Sequence, residues 1–429
     1  MTWGLLTAGS GQAWENELVT ALDRPGAALT VLRRCVDIGE VLAEAATGQA
    51  MAAVVAADLR RLDTDAVQRL SAAGVALVAV HRAGDQRAVV RLERIGITEV
   101  VPDDAEAAEL IAAISQARTR PAPVPFAPPD EPGRAFSGVA DPWFALPSPA
   151  VPGEPEPLIA TDPPPRGRVV AVWGPTGSPG RTTVAAGLAV ASSATAPCLL
   201  VDADVYGGVL ASAFGLLDES PGLAGVCRQA AAGRLDLAEL TRLVWSIGPG
   251  LRLLTGIARA DRWPEVRPSA LPQVLRVARS MAPLTVIDCG FAVENDEELS
   301  FDTAAPRRNG ATLAVLEDAD LVLVVGSADP PGMERLIRAL SELADVLPAV
   351  SPRVVLNRIR SSASGAGEAA AALRRYLRAE PIAALPEDRA ATDRAWRAGI
   401  SLAQAAPASG LTKAFAQLAR DVGALVPVQ

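Results

Sequence analysis

Residues Arg168-Val-Val-Ala-Val-Trp173 run directly into Gly174-Pro-Thr-Gly-Ser-Pro-Gly-Arg-Thr-Thr183, and this junction decides how the chain is read. The first six are an apolar run of strand type. The segment after Thr183, rich in Ala, Val and Leu, reads as a helix to about Ala194. A strand, a glycine-rich turn and a helix N-terminus in that order make a phosphate cradle. Glycine lets backbone N–H groups wrap an anion, and the helix dipole adds positive potential where they converge. Gly174, Thr176, Gly177, Ser178, Gly180, Arg181, Thr182 and Thr183 are therefore the candidate phosphate contacts. A lone turn of this kind carries little weight, so its meaning depends on the strands downstream of it.

Three further features come at sensible spacing. Cys198-Leu-Leu-Val-Asp202-Ala-Asp204 is a second apolar strand ending in two carboxylates, where open parallel sheets bind ligands. Leu284-Thr-Val-Ile-Asp288-Cys-Gly290 is an apolar strand ending in an acid, the Walker B pattern whose Asp holds a Mg²⁺ shell. Arg353-Val-Val-Leu-Asn357-Arg358 puts an amide at a strand tip, and Leu385-Pro386-Glu387-Asp388 comes about thirty residues later. Each acid alone is as well explained as a solvated strand end or a helix cap; the ordered set is not.

On these residues the chain resembles the MinD/ParA superfamily of P-loop ATPases, and more closely its CpaE/TadZ branch, over nearly all of 167–420. The stretches VYGGVLASAFGLLDESPGLA after Asp204, ADLVLVVGSADPPGMERLIRAL from Ala319 and LPEDRAATDRAWRAG from Leu385 carry the likeness. The resemblance implies ATP or ADP with Mg²⁺ as cofactors. By position, Thr182 would ligate Mg²⁺ and Thr183 would touch the α-phosphate. Asp204 would position the attacking water with Asp202 in support, Asp288 would bind the metal's water shell, and Asn357 and Pro386 would face adenine. It also implies protein partners in a Tad/Flp-type pilus, secretion or division apparatus, a homodimer as oligomer, and a cytoplasmic protein recruited to a pole, septum or inner membrane by those partners.

The loop departs from the family's Gly-Lys-Gly-Gly-Val-Gly-Lys-Thr-Thr. Thr176 stands where the signature lysine belongs, and Arg181 where the P-loop lysine belongs. Arg181 keeps a charge, and since Lys413 is the only lysine in the chain the swap partly reflects a preference for Arg. A planar guanidinium is nevertheless not the compact ammonium that acts as a point charge on phosphates. Thr176 supplies no charge at all, and losing a catalytic cation of the arginine-finger kind costs about 10³–10⁵ in rate. Pro175 and Pro179 remove two backbone N–H donors from the loop. Nucleotide binding with slow or absent hydrolysis is the expectation.

Upstream, residues 1–118 alternate short strands (Gly4–Thr7, Leu29–Leu32, Met51–Ala56, Val75–Val80, Glu99–Val101) with helices, the pattern of a doubly wound parallel sheet. Order and size resemble a response-regulator receiver domain of flavodoxin-like fold. Asp58 follows the third strand, where the phosphoacceptor would be. The turn Ala8-Gly9-Ser10-Gly11 offers no carboxylate for Mg²⁺, and Pro102-Asp103-Asp104 offers no lysine. Phosphoryl transfer to Asp58 would lack charge neutralisation, so the unit reads as a pseudo-receiver for protein contacts. His81, the sole histidine, reads as structural. Between Pro121 and Pro165 fall 15 of the chain's 35 prolines, an extended linker over 119–166 in which Phe126, Phe136, Trp143 and Phe144 could form a docking motif. The P-loop unit takes the remainder, 167–429.

Composition bounds the alternatives. A net charge of −9 argues against direct nucleic-acid binding through bulk charge. Cys35, Cys198, Cys227 and Cys289 show no CxxC spacing, so no zinc site or disulfide framework is expected. The N-terminus lacks a signal-peptide pattern, and no apolar run reaches the ~18 residues of a membrane span. Glu294–Leu299 reads as a solvated acidic stretch and Leu411–Leu425 as a helix packed on its own unit rather than a membrane anchor. Two other readings stay open: a pseudo-ATPase scaffold that has lost nucleotide, and a ParA-like partitioning ATPase that binds DNA.

Overall fold

Strand tips, not helix faces, carry the chemistry expected from the sequence, so the order and register of the sheets place the site. The computed structural model describes residues 3–9, 11–24, 28–119, 166–216, 222–294, 307–360, 366–377 and 381–427. The aromatic residues of the Pro-rich linker and most of the acidic stretch 294–299 lie outside these.

The N-terminal unit runs β1 (Trp3–Ala8), α1 (Ala13–Leu22), β2 (Leu29–Arg34), α2 (Ile38–Ala45), β3 (Ala50–Ala56), α3 (Thr64–Ala72), β4 (Ala76–His81), α4 (Gln86–Arg94), β5 (Glu99–Pro102) and α5 (Ala107–Thr119). Its five strands pair in the parallel order β2-β1-β3-β4-β5, the flavodoxin-like order. Alternation along each strand sends Leu6, Ala53 and Val55 to one helix layer and Leu5, Ala52 and Val54 to the other. Both faces are covered, which is why these strands read as continuous apolar runs.

The C-terminal unit begins with β6 (Arg168–Trp173), α6 (Arg181–Ser192), β7 (Cys198–Ala203), α7 (Leu210–Ala213), α8 (Gly222–Ala231) and α9 (Leu237–Leu243). It continues with β8 (Trp245–Gly248), β9 (Leu251–Leu254), α10 (Leu271–Met281), β10 (Leu284–Cys289), α11 (Gly310–Asp318), β11 (Leu321–Ser327) and α12 (Pro330–Val346). It closes with β12 (Arg353–Ile359), α13 (Ala366–Leu377), β13 (Pro381–Pro386), α14 (Arg389–Ala398), α15 (Leu402–Ala405) and α16 (Gly410–Leu425). The eight strands lie in the order β13-β12-β11-β6-β10-β7-β9-β8, all parallel except the edge strand β8. Val169, Ala171 and Trp173 of β6 point into one core, and Val170 and Val172 into the other. The short β8–β9 edge pair was not expected from the sequence, because four-residue strands carry almost no periodic signal.

Two packing details place the functional end. Strand β6 is the switch point: the chain moves from it to β7 on one side and later to β11 on the other, and ligands bind in the crevice at such a point. Helix α16 lies on α6 and β13 with Leu411, Phe415, Leu418 and Val422 buried, as the apolar spacing predicts. Leu425, also in that stripe, is exposed. Among the described residues no helix is long and apolar enough to cross a membrane. The two units touch: Thr64 Oγ1 donates to the Ala231 carbonyl at 3.4 Å, and Arg267 pairs with Asp63 at 3.2 Å.

Candidate functional site at the glycine-rich loop

The loop 174–180 leaves the C-terminal end of β6 and enters α6 through a sequence of left-handed residues. Gly177 (φ +90°), Ser178 (φ +53°) and Gly180 (φ +101°) turn the backbone over the sheet edge. A β-carbon at Gly180 would lie 2.3 Å from Nδ2 of Asn357, so only glycine fits at the entry to the helix. Among the described residues, no loop or capping hydrogen bond takes up the backbone N–H of Thr176, Gly177, Ser178 or Gly180. Those of Arg181, Thr182 and Thr183 are free as the first turn of α6, whose earliest intrahelical bond runs from Val184 to Gly180. Thr176, Gly177 and Ser178 are exposed, so these donors lie at an open surface. The missing donors of Pro175 and Pro179 thus leave most of the cradle in place.

Arg181, first residue of α6, folds back across the loop. Its Nη1 donates to the Pro175 and Gly174 carbonyls at 2.9 and 3.3 Å, and its Nε donates to the Cys289 carbonyl at 3.2 Å. Its Nη2 stands 3.6 Å from Oδ2 of Asp204. The guanidinium therefore ties the loop to the ends of β7 and β10. A three-donor contact of this kind uses the fork geometry that lysine lacks.

The acids meet because the strands register. Asp288 of β10 aligns with Asp202 of β7 and with Val172 of β6. Asp202 accepts from the backbone N–H of Leu210 at 3.0 Å and of Asp204 at 3.2 Å, fixing the turn into α7. Asp204 accepts from Tyr206 N–H at 2.9 Å and Gly207 N–H at 3.2 Å. Asp288 is fully buried, and neither of its carboxylate oxygens has a hydrogen-bond partner of ordinary geometry, although the Thr182 hydroxyl lies near enough to favour its charged form. Burial pushes the Asp202 carboxyl up to about 7. Burial first, and then the charge of Asp202, push Asp288 well above the usual carboxylate range. Asp204 faces the Arg181 guanidinium and Asp288 registers beside Asp202, but among the described residues no three acids, cysteines or histidines gather as a ready-made metal site, so a hard cation here would draw its remaining oxygen ligands from water or phosphate. Thr182 and Asp288 are the residues expected from the sequence to hold such a cation, and Asp288 lies next to the Thr182 hydroxyl.

Asn357 and Pro386 fall at the tips of β12 and β13. The Asn357 amide is buried and donates to the Pro179 carbonyl at 2.8 Å, so its nitrogen braces the loop. Pro386 is half-buried beside the N-terminus of α16. An apolar cavity of about 260 Å³ opens next to Thr182 and Thr183, with Trp396 and Phe415 among its walls.

Sequence reading missed two groups here. One is the aromatic shelf beside Asp204, where Tyr206 and Phe291 pack at 4.8 Å and the Tyr206 hydroxyl bonds Asn309 at 2.5 Å. The other is Arg335 of α12, which comes to the loop from more than 150 residues away. No spacing signal marks either, since both contacts exist only after the sheet forms.

In the N-terminal unit, Asp58 is exposed just past β3. Glu15 of α1 supplies the carboxylate that the β1 turn lacks. It accepts from Thr7 Oγ1 at 2.7 Å and Gly11 N–H at 3.1 Å and pairs with Arg34 at 3.1 Å. Burial pushes this carboxyl up, but the bonds from Thr7 and Arg34 outweigh it and hold it below the usual range. All four cysteines are buried and free.

No protein-family model matches the chain, and no curated protein does. Solved structures do. The ParA family ATPase of Chlorobium tepidum TLS is similar over 59% of this chain and 98% of its own, at 22% identity and a TM-score of 0.51. The cell division ATPase MinD of Pyrococcus furiosus aligns over 61% and 100% at 20% identity and a TM-score of 0.49. The septum site-determining protein MinD of Pyrococcus horikoshii OT3, solved with Mg-ADP, aligns over 61% and 98% at 19% identity and a TM-score of 0.49. The C-terminal unit has the fold of a MinD/ParA-type P-loop NTPase, and the chain as a whole is α/β with parallel sheets.

Proposed function

We propose that the C-terminal unit binds ATP or ADP with Mg²⁺ at residues 174–183 and hydrolyses ATP slowly or not at all. The observation that carries this is the set of unengaged loop and helix N–H groups beside the orphaned carboxylate of Asp288. In this reading the N–H groups of Gly177, Ser178, Gly180 and Arg181 hold the phosphates, with Thr176 lining the loop tip and Thr183 contributing its hydroxyl. Bound Mg²⁺ would supply charge neutralisation on the phosphate oxygens. Thr182 and Asp288 hold the cation or its water shell. Asp204, fixed by Tyr206 and Gly207, orients water, and Asp202 keeps Asp204 in place through its N–H. Pro386 and the outer face of Asn357 border the base.

Slow turnover follows from Arg181. Its guanidinium is engaged with three loop and strand carbonyls, and Thr176 brings no charge. We assign residues 1–118 to a receiver-like contact module, 119–166 to a linker and 167–429 to the nucleotide unit. The strand order β2-β1-β3-β4-β5 and the internally paired Glu15 support a receiver-like unit that does not gather a metal at Asp58. The whole is read as a CpaE/TadZ-like cytoplasmic positioning protein for pilus, secretion or division machinery. A nucleotide-free scaffold is the second reading, favoured by the same bonds of Arg181, which close the loop on itself. Calorimetry with Mg²⁺ and a non-hydrolysable ATP analogue decides between them: no heat of binding refutes the nucleotide site. In the double variant Thr176→Lys/Arg181→Lys, turnover is expected to rise by at least ~10-fold; unchanged turnover would mean that the missing lysines are not what limits the site.

A further inference from the structure

We infer that Arg335 is a phosphate-binding residue, supplying from α12 the positive charge that Thr176 does not; the inference rests on the proposed nucleotide site. Strand β11 lies directly beside β6, and the chain turns from it into α12 through Asp329, which caps the helix by accepting from Gly332 N–H at 2.9 Å. This turn carries Arg335 over the exposed tip of the glycine-rich loop. A β-carbon on Gly177 would lie 2.8 Å from its Nη1 and 3.2 Å from its Cζ, so the guanidinium rests against the glycine backbone itself. Gly177 has φ +90°, and the absence of a side chain there is what admits the guanidinium.

The two loop cations differ in what they touch. Arg181 is satisfied by three carbonyls and faces Asp204. Arg335 is exposed and, among the described residues, makes no hydrogen bond or ion pair. It borders the exposed residues Thr176, Gly177 and Ser178, whose N–H groups are themselves unengaged. A planar guanidinium with donors to offer, set against open backbone donors, is a site for a polyanion. Because the residue belongs to the same chain, this charge needs no second copy to deliver it.

Calorimetry on the full chain tests this, with Mg²⁺ and a non-hydrolysable ATP analogue, ADP or AMP as separate ligands. Arg335→Ala should weaken the triphosphate analogue by ~10-fold or more and leave AMP within about twofold, since charge-assisted hydrogen bonds to phosphate oxygens are what it removes. Arg335→Lys should recover part of the loss, and the affinity gap between native chain and Arg335→Ala should shrink with added salt. Equal affinities of the native chain and Arg335→Ala for the triphosphate overturn the inference alone. Absence of binding by the native chain overturns the nucleotide reading, and this inference with it. Since Arg335 is exposed, matching circular dichroism of variant and native chain is expected, so a loss of affinity reports the contact and not the fold.

Discussion

Asp288→Asn isolates the electrostatic cost of the carboxylate cluster. In the unfolded chain the carboxyl titrates near 3.8, whereas burial and the neighbouring Asp202 raise it well above that in the fold. Between these values the folded chain keeps a proton that the unfolded chain has released, so stability falls as pH rises. The slope for one such carboxyl is about 1.4 kcal/mol per pH unit. Asp202, raised to about 7, contributes a second slope of the same sign up to that pH. Carboxyls with lowered values, such as Glu15, add a small slope of the opposite sign near pH 5 that fades as pH rises and is the same in native chain and variant. From pH 5 to 7 the native chain should therefore lose more stability than the Asn variant, which keeps only the contribution of Asp202. The buried amide costs about 1–3 kcal/mol for want of partners, but that cost does not vary with pH. Urea unfolding at pH 5, 6 and 7 without Mg²⁺, followed by circular dichroism, gives the two slopes. Parallel lines for native and variant would refute the assignment of a raised carboxyl to Asp288.

Further outcomes rest on the same geometry. Arg279 is nearly buried beneath the start of β6, donating to the Asp318 carbonyl at 2.7 Å and the Gly167 carbonyl at 3.2 Å and pairing with Asp320. Arg279→Met should destabilise the C-terminal unit by about 1–3 kcal/mol, because the Gly167 and Asp318 carbonyls lose their donor while Asp320 keeps Arg168 and the Val169 N–H; a loss below ~0.5 kcal/mol in urea unfolding would count against a buried network. Gly180→Ala should cost about 1–2 kcal/mol for the left-handed backbone, with more from displacing Asn357, and should weaken ATP-analogue binding in calorimetry. Unchanged stability and affinity together would mean that the loop adopts another path.

How far the sequence reached differs between elements. Strands β6, β7, β10 and β12 were legible because each is a run of three to five mostly apolar residues, closed by Trp173, Asp202 and Asp204, Asp288 or Asn357. Strands buried on both faces leave just that signature, and the polar residue after the run marks the strand's C-terminal end even though Asp202, Asp288 and Asn357 are themselves buried. The glycines at 177 and 180 were equally legible, since positive φ has few other solutions. Strands β8 and β9 were not, being four residues each. Glu15 also escaped notice: its carboxylate reaches the β1 turn from a helix, one turn beyond the place where a loop acid was sought.

The loop from Gly174 to Thr183 shows the same division. Its amino acids alone determined that an anion cradle forms, that two of its donors are proline and that its lysines are absent. Spacing along the chain controls local backbone geometry, and local geometry is enough for that. Only the folded sheet decided what the remaining charges do. The register of β6, β7 and β10 set Asp288 beside Asp202 with only the Thr182 hydroxyl near it, and it turned Arg181 onto carbonyls from both the loop and β10. The pairing of β11 with β6 brought Arg335 to Gly177. Such contacts join residues far apart in the chain, 86 positions for Asp202 and Asp288 and 158 for Gly177 and Arg335, and their energies depend on distance and burial, quantities that a linear sequence does not contain.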